Sequence, residues 1–449
     1  MNVMTLDAIL RTHLTSFTHK VFSTLRPGDP FKPNWHIDAI NWHLQQVVDG
    51  RIRRQIITVP PRNLKSICAS VALPAWLLGR DPTREIICAS YAEGLSVELH
   101  NQCRNVMNAH WYKRLYPGTQ LSPRKNTETE FKTTRGGGRL ATSVEGTLTG
   151  RGASVIIIDD PIKPGDAASE TMLSRVRNWY DGTVLSRLND KAEGAIILVM
   201  QRLHMDDLAG HLLAQGGWHH LNLPARAEAD ESIAIGPNRW HRRQTGELLH
   251  AARESADVLA EMERTLGSFG FAAQYQQQPV PIDGNLIRWS WFGRHALPLA
   301  SGPDDQIVQS WDTASKDGEL NDYSVCVTAV VRGNRAYLVG LDRARRNYPD
   351  LRRRAIELAQ EYNPHALLIE DKGSGTHLIQ ELQYDGRFPV IGMEPRGDKI
   401  VRASNHSAMI EGGLVSIPRR RLGWWIFRQR SPPFPIRDMT IRSMPLRSC

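Results

Sequence analysis

Cysteine is scarce in this chain, and long apolar runs are missing. It has five cysteines, none in a CxxC pair or set among histidines, so neither a structural zinc site nor a disulfide framework is indicated. Cys68, Cys88 and Cys326 lie in apolar segments and are predicted to be buried packing residues. No run approaches the length of a membrane span, and Met1–Lys20 lacks the apolar core of a secretory signal. We therefore predict a cytoplasmic protein without a membrane partner.

Length and charge indicate the number of domains and a class of partner. A chain of 449 residues exceeds the size at which one hydrophobic core keeps growing, so two domains are expected. The formal net charge is +9 and the pI is near 9.4. This balance favours a polyanionic partner, because Lys and Arg side chains neutralise the phosphates of nucleic acids.

The segment 60–66 (PPRNLKS) lies between a strand pattern and a helix pattern. Gln55–Val59 is rich in β-branched residues, and the residues after the segment have helical apolar spacing. In a G-x-x-x-x-G-K-[ST] phosphate loop, backbone N–H groups wrap the phosphates, the lysine neutralises them and the hydroxyl ligates Mg²⁺. Lys65 and Ser66 fill the last two roles. Both glycines are absent, however, and Leu64 stands where a glycine is usual, so a structural loop is the alternative.

A second segment, Val155–Pro161 (VIIIDDP), ends an apolar run with two carboxylates. This pattern is typical of a buried parallel strand that delivers acids to the carboxyl edge of a sheet, where ligands of open α/β sheets bind. Further strand patterns at Arg84–Ser90 and Ala195–Met200, separated by helical segments, predict a parallel doubly wound sheet. Asp159 is expected to hold Mg²⁺, directly or through water, and Asp160 to orient or deprotonate the attacking water. The alternative, a simple turn at the second acid, leaves the first unexplained.

Neighbouring residues complete this predicted site. Arg62 or Arg151 is a candidate for the arginine that stabilises charge on the transferring γ-phosphate, the alternative being a solvated loop arginine. Gln201 and Arg202 follow a strand at an edge where a γ-phosphate sensor would lie. The residues expected to contact the nucleotide are Pro61, Arg62, Asn63, Leu64, Lys65, Ser66 and Asp159, and Ser66 and Asp159 are the expected Mg²⁺ ligands.

The second half of the chain predicts another α/β unit. Over 306–393 the pattern gives three antiparallel strands, a helix, a buried strand, a helix and a final strand, an order that matches an RNase H-like fold. Asp312 lies in one apolar strand, and Glu370 and Asp371 end another; acids in such positions are costly without a cation. They are predicted metal ligands, with Asp322 as an auxiliary ligand. The alternative is that an acid at a strand end only forms a turn.

Motifs in both halves resemble the large terminase subunit of tailed bacteriophages, the motor-nuclease that packages DNA into a capsid. The resemblance covers the chain from about Trp35 to Pro418. The motifs are PPRNLKS (60–66), SYAEGLSVE (90–98), TTRGGGRLATSVEGTLTGRG (133–152), VIIIDDP (155–161), VMQRLHMDDL (199–208) and FAAQYQQ (271–277).

The resemblance implies a P-loop NTPase-type parallel sheet domain followed by an RNase H-like nuclease domain. ATP and Mg²⁺ are the implied cofactors, with Mn²⁺ as an alternative in the nuclease site. Asp312 and Glu370 match the family's first two nuclease acids, and Asp371 and Asp322 are lesser candidates. The implied partners are double-stranded DNA, a small terminase subunit and the portal protein of the procapsid, with the chain acting in an oligomeric ring within a bacterial host.

The predicted boundaries are a motor domain over 1–225, a connecting and covering segment over 226–300, a nuclease domain over 301–418 and an atypical basic tail over 419–449. The resemblance implies a third nuclease acid near the carboxyl end, in a motif similar to HDDQVDA. This chain has no such motif.

Two interpretations of the tail remain open. As protein, it is a nucleic-acid arm in which Trp424 and Trp425 stack on bases. The other interpretation is a frameshift near Pro418. When the last nucleotide of each codon is joined to the first two of the next, codons allowed for Pro433–Pro445 encode FP-x-x-RHDDQVDA, the missing motif. The nuclease would then lack one acid here, while the ATPase motifs remain.

Two other functions are consistent with the motifs. One is a helicase-like ATPase that remodels nucleic acid and uses its second domain only for binding. The other is an inactive prophage remnant, which would not turn over ATP even with DNA.

Overall fold

The computed structural model describes residues 3–280, 287–300, 302–313, 323–394 and 406–419. The chain forms two units, one of Met1–Glu263 with Ser268–Pro281 and one of Arg264–Gly267 with Ile282–Cys449. The predicted connecting segment, 226–300, does not form a unit of its own. Up to Pro281 it belongs to the first unit, apart from Arg264–Gly267.

The first unit alternates strands with helices. Its helices are α1 (Val3–Thr12), α2 (Leu14–Leu25), α3 (Trp35–Val48), α4 (Leu73–Arg80), α5 (Glu93–Asn108), α6 (His110–Leu115), α7 (Glu170–Gly182), α8 (Leu208–Gln215) and α9 (Ala256–Gln274). Its strands are β1 (Arg54–Thr58), β2 (Glu85–Ser90), β3 (Leu121–Asn126), β4 (Glu130–Thr133), β5 (Gly138–Ser143), β6 (Val155–Asp159), β7 (Ala195–Met200), β8 (His219–Asn222), β9 (Glu231–Gly236) and β10 (Arg239–Arg243).

Eight of these strands form one sheet in the order β3-β4-β5-β2-β6-β7-β1-β8. From β5 to β8 every neighbouring pair is parallel, which confirms the predicted parallel sheet, while β3 and β4 extend it as antiparallel strands. Only β7 separates β1 from β6. The loop after β1 and the acids at the end of β6 therefore meet at the same edge, because parallel strands share a carboxyl edge.

Both faces of this sheet are covered. In β6 and β7 every residue is buried, as expected for a parallel sheet between two helical layers. Val155 and Ile157 pack in the core formed with α1 to α5, whereas Ile156 and Ile158 pack in the core formed with α7 and α8. This alternation fixes the register of β6, and with it the position of the two acids beyond Ile158.

The second unit contains a mixed sheet and two long helices. Its elements are β11 (Gly293–His295), β12 (Gln306–Asp312), β13 (Ser324–Arg332), β14 (Arg335–Ala344), α10 (Tyr348–Tyr362), β15 (Ala366–Glu370), α11 (Ser374–Asp385), β16 (Val390–Met393) and β17 (Val415–Pro418). From β12 to β16 they follow one another as the sequence predicts, whereas β11 and β17 were not predicted. The sheet order is β11-β17-β14-β13-β12-β15-β16.

The centre of this sheet has the topology predicted from the sequence. Strands β12, β13 and β14 form an antiparallel meander, and β15 lies parallel to β12 on its other side, with β16 parallel to β15. Trp311 and Ile369 pack with residues of α10 and α11 in the core. The ends of β12 and β15, which carry the predicted nuclease acids, therefore lie side by side.

Three of the cysteines test the predicted packing role. Cys68, Cys88 and Cys326 are free thiols that are at most 3% exposed, which confirms the prediction. Among the described residues, no helix is both long enough and apolar enough to cross a membrane.

Candidate functional sites

The loop between β1 and the following helix contains no glycine, although two of its residues are left-handed. Arg62 and Leu64 are left-handed, with φ of 64° and 61°, a conformation that costs a side-chain-bearing residue about 1–2 kcal/mol. Asn63 between them is fully buried, and its side-chain amide donates to the carbonyl oxygen of Pro61 at 3.1 Å. Leu64 packs against the hydrophobic core. Packing of Leu64 against the core and the hydrogen bond that Asn63 donates help to offset the strain that a glycine would avoid.

The lysine and the serine of this loop contact the two acids at the end of β6. Lys65 Nζ lies 2.9 Å from Asp160 Oδ2, and Ser66 Oγ donates to Asp159 Oδ1 at 3.0 Å. Ser70 Oγ donates to the other oxygen of Asp159 at 2.7 Å. The sequence analysis missed Ser70, although its position four residues after Ser66 places both hydroxyls on one helical face. The structure therefore brings together the four residues predicted as the centre of the nucleotide site.

The helix after this loop begins with a π-helical segment, Ile67–Ala72, before α4. Such segments are rare and occur often at functional sites, because the wider turn displaces side chains from their usual positions. Here Ser70 lies within that segment and contacts Asp159. The local distortion thus belongs to the site.

Asp159 is almost completely buried, at 1% exposure. Burial and then the charge of Asp160 raise the pKa of its carboxyl, Lys65 and the two serine hydroxyls lower it, and together they place this pKa at about 6. A divalent cation would favour the ionised form. Carboxylate and hydroxyl oxygens are the donors that Mg²⁺ prefers, so Asp159 and Ser66 fit that ion.

We predict that Mg²⁺ binding at Asp159 weakens as the pH falls through 6. The carboxyl must lose its proton to bind the ion, so the affinity for Mg²⁺ with a nonhydrolysable ATP analogue should drop up to about tenfold for each pH unit below the pKa. The pKa shift also affects the free energy of unfolding: because the pKa of the folded state is raised, this group's contribution to stability is lost as the pH rises from 3.8 through about 6.

Calorimetric titration between pH 5 and 7.5 measures the effect on binding. Affinity independent of pH, or unchanged dependence in Asp159→Asn, would contradict this assignment.

Asp160 is fixed by its backbone and by its carboxylate. Its φ is 45°, its N–H donates to Val199 O at 2.9 Å, and its carbonyl accepts from the Tyr91 N–H at 3.1 Å. The carboxylate accepts from Lys65 on one oxygen and from the Gln201 N–H at 3.2 Å on the other. Asp160 is thus held between the phosphate loop and the end of β7.

The structure separates the two predicted sensor residues. Gln201 lies beside Asp160, and its side-chain oxygen is buried without a hydrogen-bond partner in the described part of the chain. Arg202 points elsewhere: its Nε lies 3.0 Å from both carboxylate oxygens of Asp207. The Arg202 N–H donates to the side-chain oxygen of Gln277 at 2.9 Å. Gln201 is therefore the member of the pair that contacts Asp160, through its backbone N–H.

The glutamines of the FAAQYQQ motif link the strand ends of the first unit. Besides the contact of Gln277 with Arg202, Gln276 accepts from the Arg226 N–H at 3.0 Å and donates to the Arg226 carbonyl at 3.1 Å. These contacts bind the segment after α9 to the residues that follow β7 and β8. The motif thus ties these loops to one another.

The two predicted catalytic arginines lie in different places. Arg62 is in the phosphate loop, and its side chain is exposed. Arg151 forms a two-pronged ion pair with Glu130, at 2.8 and 3.0 Å. It lines the same cavity as Glu85 and Ile86, the first residues of β2. The structure therefore places Arg151 towards the amino ends of the parallel strands and does not bring it to Lys65.

In the second unit, the predicted nuclease acids share one face of the sheet. Trp311 pairs with Ile369 across β12 and β15, and both side chains are buried in the core. Because side chains alternate along a strand, the next residues, Asp312 and Glu370, point together to the opposite face. Glu370 is buried, at 7% exposure. Two adjacent carboxylates supply the hard oxygen donors that Mg²⁺ or Mn²⁺ requires.

The other two predicted metal ligands are not part of this pair. Asp371 follows Glu370 and accepts a hydrogen bond at 2.6 Å from the Thr376 hydroxyl, at the start of α11. Asp322 lies outside the described residues. Within the described ranges, no group of three or more His, Cys, Asp or Glu side chains is arranged to hold a metal ion. The described site thus offers two carboxylates rather than three.

A glycine allows α11 to begin directly beside Glu370. A Cβ atom on Gly375 would lie 2.1 Å from the Glu370 backbone oxygen and 3.1 Å from the Thr313 hydroxyl oxygen. The first value is far below any van der Waals contact, so no other residue fits without a backbone shift. Gly375 therefore positions the helix that packs behind the two nuclease acids.

Comparison with known proteins gives one family match. Residues 309–427 match the family model described as the terminase RNase H-like domain. This confirms the predicted RNase H-like class of the second unit and agrees with the family that the motifs of the first half resemble. A search of curated proteins found no match.

Three solved structures illustrate the likeness. The large terminase of a thermophilic bacteriophage, in complex with ADP, is 12% identical, over 90% of this chain and 87% of that one, with a TM-score of 0.45. The HK97 bacteriophage large terminase is 12% identical, over 89% and 90%, with a TM-score of 0.35. The large terminase nuclease of a second thermophilic phage, G20c, with bound magnesium is 16% identical, over 31% and 77%, with a TM-score of 0.25.

Proposed function

We propose that this chain is the large subunit of a phage terminase. Residues 309–427, which match the terminase RNase H-like family, support this proposal. In this role the first unit hydrolyses ATP to drive double-stranded DNA into a capsid, and the second unit cuts that DNA with divalent metal ions. The observation that carries the motor function is the contact of Lys65 and Ser66 with Asp160 and Asp159. It unites a phosphate loop and an acidic strand at one sheet edge.

The contacts of the site suggest how ATP binding prepares hydrolysis. The Lys65 ammonium pairs with the Asp160 carboxylate. A bound triphosphate competes for this ammonium, because the phosphates carry more negative charge than one carboxylate. Asp160 is then released to orient and deprotonate the attacking water. Arg62, which is exposed beside the loop, is the local candidate for stabilising charge on the γ-phosphate.

Ser66 and Asp159 are the proposed Mg²⁺ ligands, and the ion they hold would supply neutralisation of the charge that develops on the phosphates. Pro61, Asn63 and Leu64 supply backbone groups around the phosphates. We propose Gln201 as the residue that senses the γ-phosphate, because its backbone N–H contacts Asp160 and its buried side-chain oxygen has no hydrogen-bond partner among the described residues. From Gln201 the signal reaches the backbone of Arg202 and then Gln277.

For the nuclease, Asp312 and Glu370 are the proposed ligands of Mg²⁺ or Mn²⁺. Metal ions held by this pair would supply the activation of water and the stabilisation of the leaving oxygen in cutting a phosphodiester. Asp371 and Asp322 remain lesser candidates. A third acid is needed for full activity, and the frameshift hypothesis places it in the alternative reading frame of Pro433–Pro445. We therefore propose a motor with a weakened nuclease.

The proposed partners are double-stranded DNA, a small terminase subunit and the portal protein of the procapsid, on which the chain would assemble as a ring. Arg151 is the residue to examine in such a ring. Arg151 lies away from Lys65 of its own chain. If it contributes to catalysis, it would therefore act on the nucleotide bound by a neighbouring subunit. The test is ATP turnover in mixtures of Arg151→Ala and Lys65→Ala subunits. Complementation between the two would support this role, and its absence would oppose it.

A further inference from the structure

We infer that Arg253 is a positioning residue that holds the phosphate loop in its anion-binding conformation. This inference rests on the proposed ATPase function and adds a residue that the sequence motifs do not include. Arg253 lies 191 positions from the loop residue that it contacts. It follows a turn in which its N–H donates to the His250 carbonyl at 2.9 Å.

The loop needs such support because its conformation is unfavourable for its sequence. Left-handed Arg62 and Leu64 flank Asn63, whose φ is not positive. An alternation of left-handed and right-handed or extended residues turns successive backbone N–H groups to one side, which creates a concave site for anions. Glycine adopts this conformation without steric cost, whereas arginine and leucine resist it. Contacts from outside the loop must therefore maintain it.

Arg253 supplies one of these contacts. Its Nη1 donates a hydrogen bond to the Arg62 carbonyl oxygen. In a trans peptide group the carbonyl and the following N–H point in opposite directions. By holding the Arg62 carbonyl on the outer side, Arg253 turns the Asn63 N–H to the other side of the loop. A charged donor makes this hydrogen bond stronger than a neutral one.

Two further contacts that support the loop on this side, from His36 and through Leu64, are uncharged. His36 is 1% exposed, and its pKa is lowered to about 3, first by burial and then by the charges of His250 and Arg253, while the Asn63 backbone raises it. His36 is thus neutral near pH 7. Leu64 is anchored in the core by apolar packing. Arg253 is therefore the cation that acts on the loop backbone from this side.

This geometry predicts how the loss of Arg253 would affect catalysis. Arg253 contacts a carbonyl of the loop, so it acts on phosphates only through the loop. Its loss should weaken the binding of ground state and transition state alike, which raises KM and changes kcat little. Loss of a residue that touches the reacting phosphate would instead lower kcat.

The experiment uses the full-length chain and measures the binding of Mg-ATPγS and of tripolyphosphate by calorimetry, with KM and kcat for ATP. Arg253→Ala should weaken binding at least tenfold, which is about 1.4 kcal/mol, and should leave kcat within about threefold. Arg253→Lys should recover most of the affinity, because it keeps a cationic donor. Arg242→Ala, at an exposed position on β10, is the matched control and should bind as the unmodified chain does.

A second variant separates loop positioning from a general loss of stability. With Arg62→Gly and Leu64→Gly together, both left-handed positions of the loop are free of steric strain, so adding Arg253→Ala should cost less than threefold in affinity. A tenfold loss that persists in this background overturns the inference. So does an Arg253→Ala chain that binds triphosphate normally, which leaves the proposed ATPase standing. An unmodified chain that binds no triphosphate overturns the proposed function, and the inference with it.

Discussion

Lys65→Ala should abolish ATP hydrolysis, with a fall in kcat of at least about 10³-fold. Two effects combine in this prediction. The ammonium that neutralises the transferring phosphate is lost, and Asp160 loses the cation that lies 2.9 Å from it. The measurement is steady-state release of phosphate by the purified chain with Mg²⁺, with and without double-stranded DNA.

Lys163→Ala is the matched control, because Lys163 is an exposed lysine shortly after β6 whose ion pair, with Asp166, lies three residues away in sequence. It should hydrolyse ATP at the unmodified rate. A Lys65→Ala chain indistinguishable from its parent would instead agree with an inactive prophage remnant.

Restoring the alternative reading frame after Pro418 should raise DNA cleavage by roughly 10²-fold or more. A two-metal nuclease needs carboxylates from several elements to hold both ions, and the described residues supply the pair Asp312 and Glu370 without a third. The family match ends at residue 427, before the segment Pro433–Pro445 whose alternative frame encodes the missing motif. The measurement is plasmid nicking by both forms in Mg²⁺ and in Mn²⁺.

Two results would count against this account of the nuclease. Resequencing of the gene that finds no HDD codons in the alternative frame would end the frameshift hypothesis. In the frame-corrected chain, Asp312→Asn should abolish cutting and leave ATP turnover unchanged. Cutting that survives Asp312→Asn would favour the helicase-like alternative, in which the second unit only binds nucleic acid.

The elements of both units were predictable because their patterns are local. An all-apolar run such as Val155–Ile158 permits few structures other than a buried parallel strand, and the acids that follow it must then lie at the carboxyl edge. It followed that Asp159 and Asp160 lie close to Lys65 and Ser66, as the structure has them. The loop conformation did not, because Leu64 replaces a glycine and its left-handed φ is stabilised by packing that only the tertiary structure supplies.

Arginines were the least predictable residues. A guanidinium reaches far enough to pair with many acids, and sequence spacing does not say which. Arg151 pairs with Glu130 and Arg202 with Asp207, whereas Arg253, which no motif singled out, contacts the phosphate loop. The predicted end of the first domain, at residue 225, also missed long-range contacts. The first unit extends to Pro281, and in it the side chains of Gln276 and Gln277 accept hydrogen bonds from the Arg226 and Arg202 N–H groups.

ATP turnover by the unmodified chain tests the central claim most directly. The claim is that the site around Lys65, Ser66, Asp159 and Asp160 is a working ATPase, whatever the state of the nuclease. We predict Mg²⁺-dependent hydrolysis that double-stranded DNA stimulates, while the same preparation cuts plasmid DNA poorly. A well-folded preparation that releases no phosphate from ATP, with DNA and Mg²⁺ present, would contradict the account.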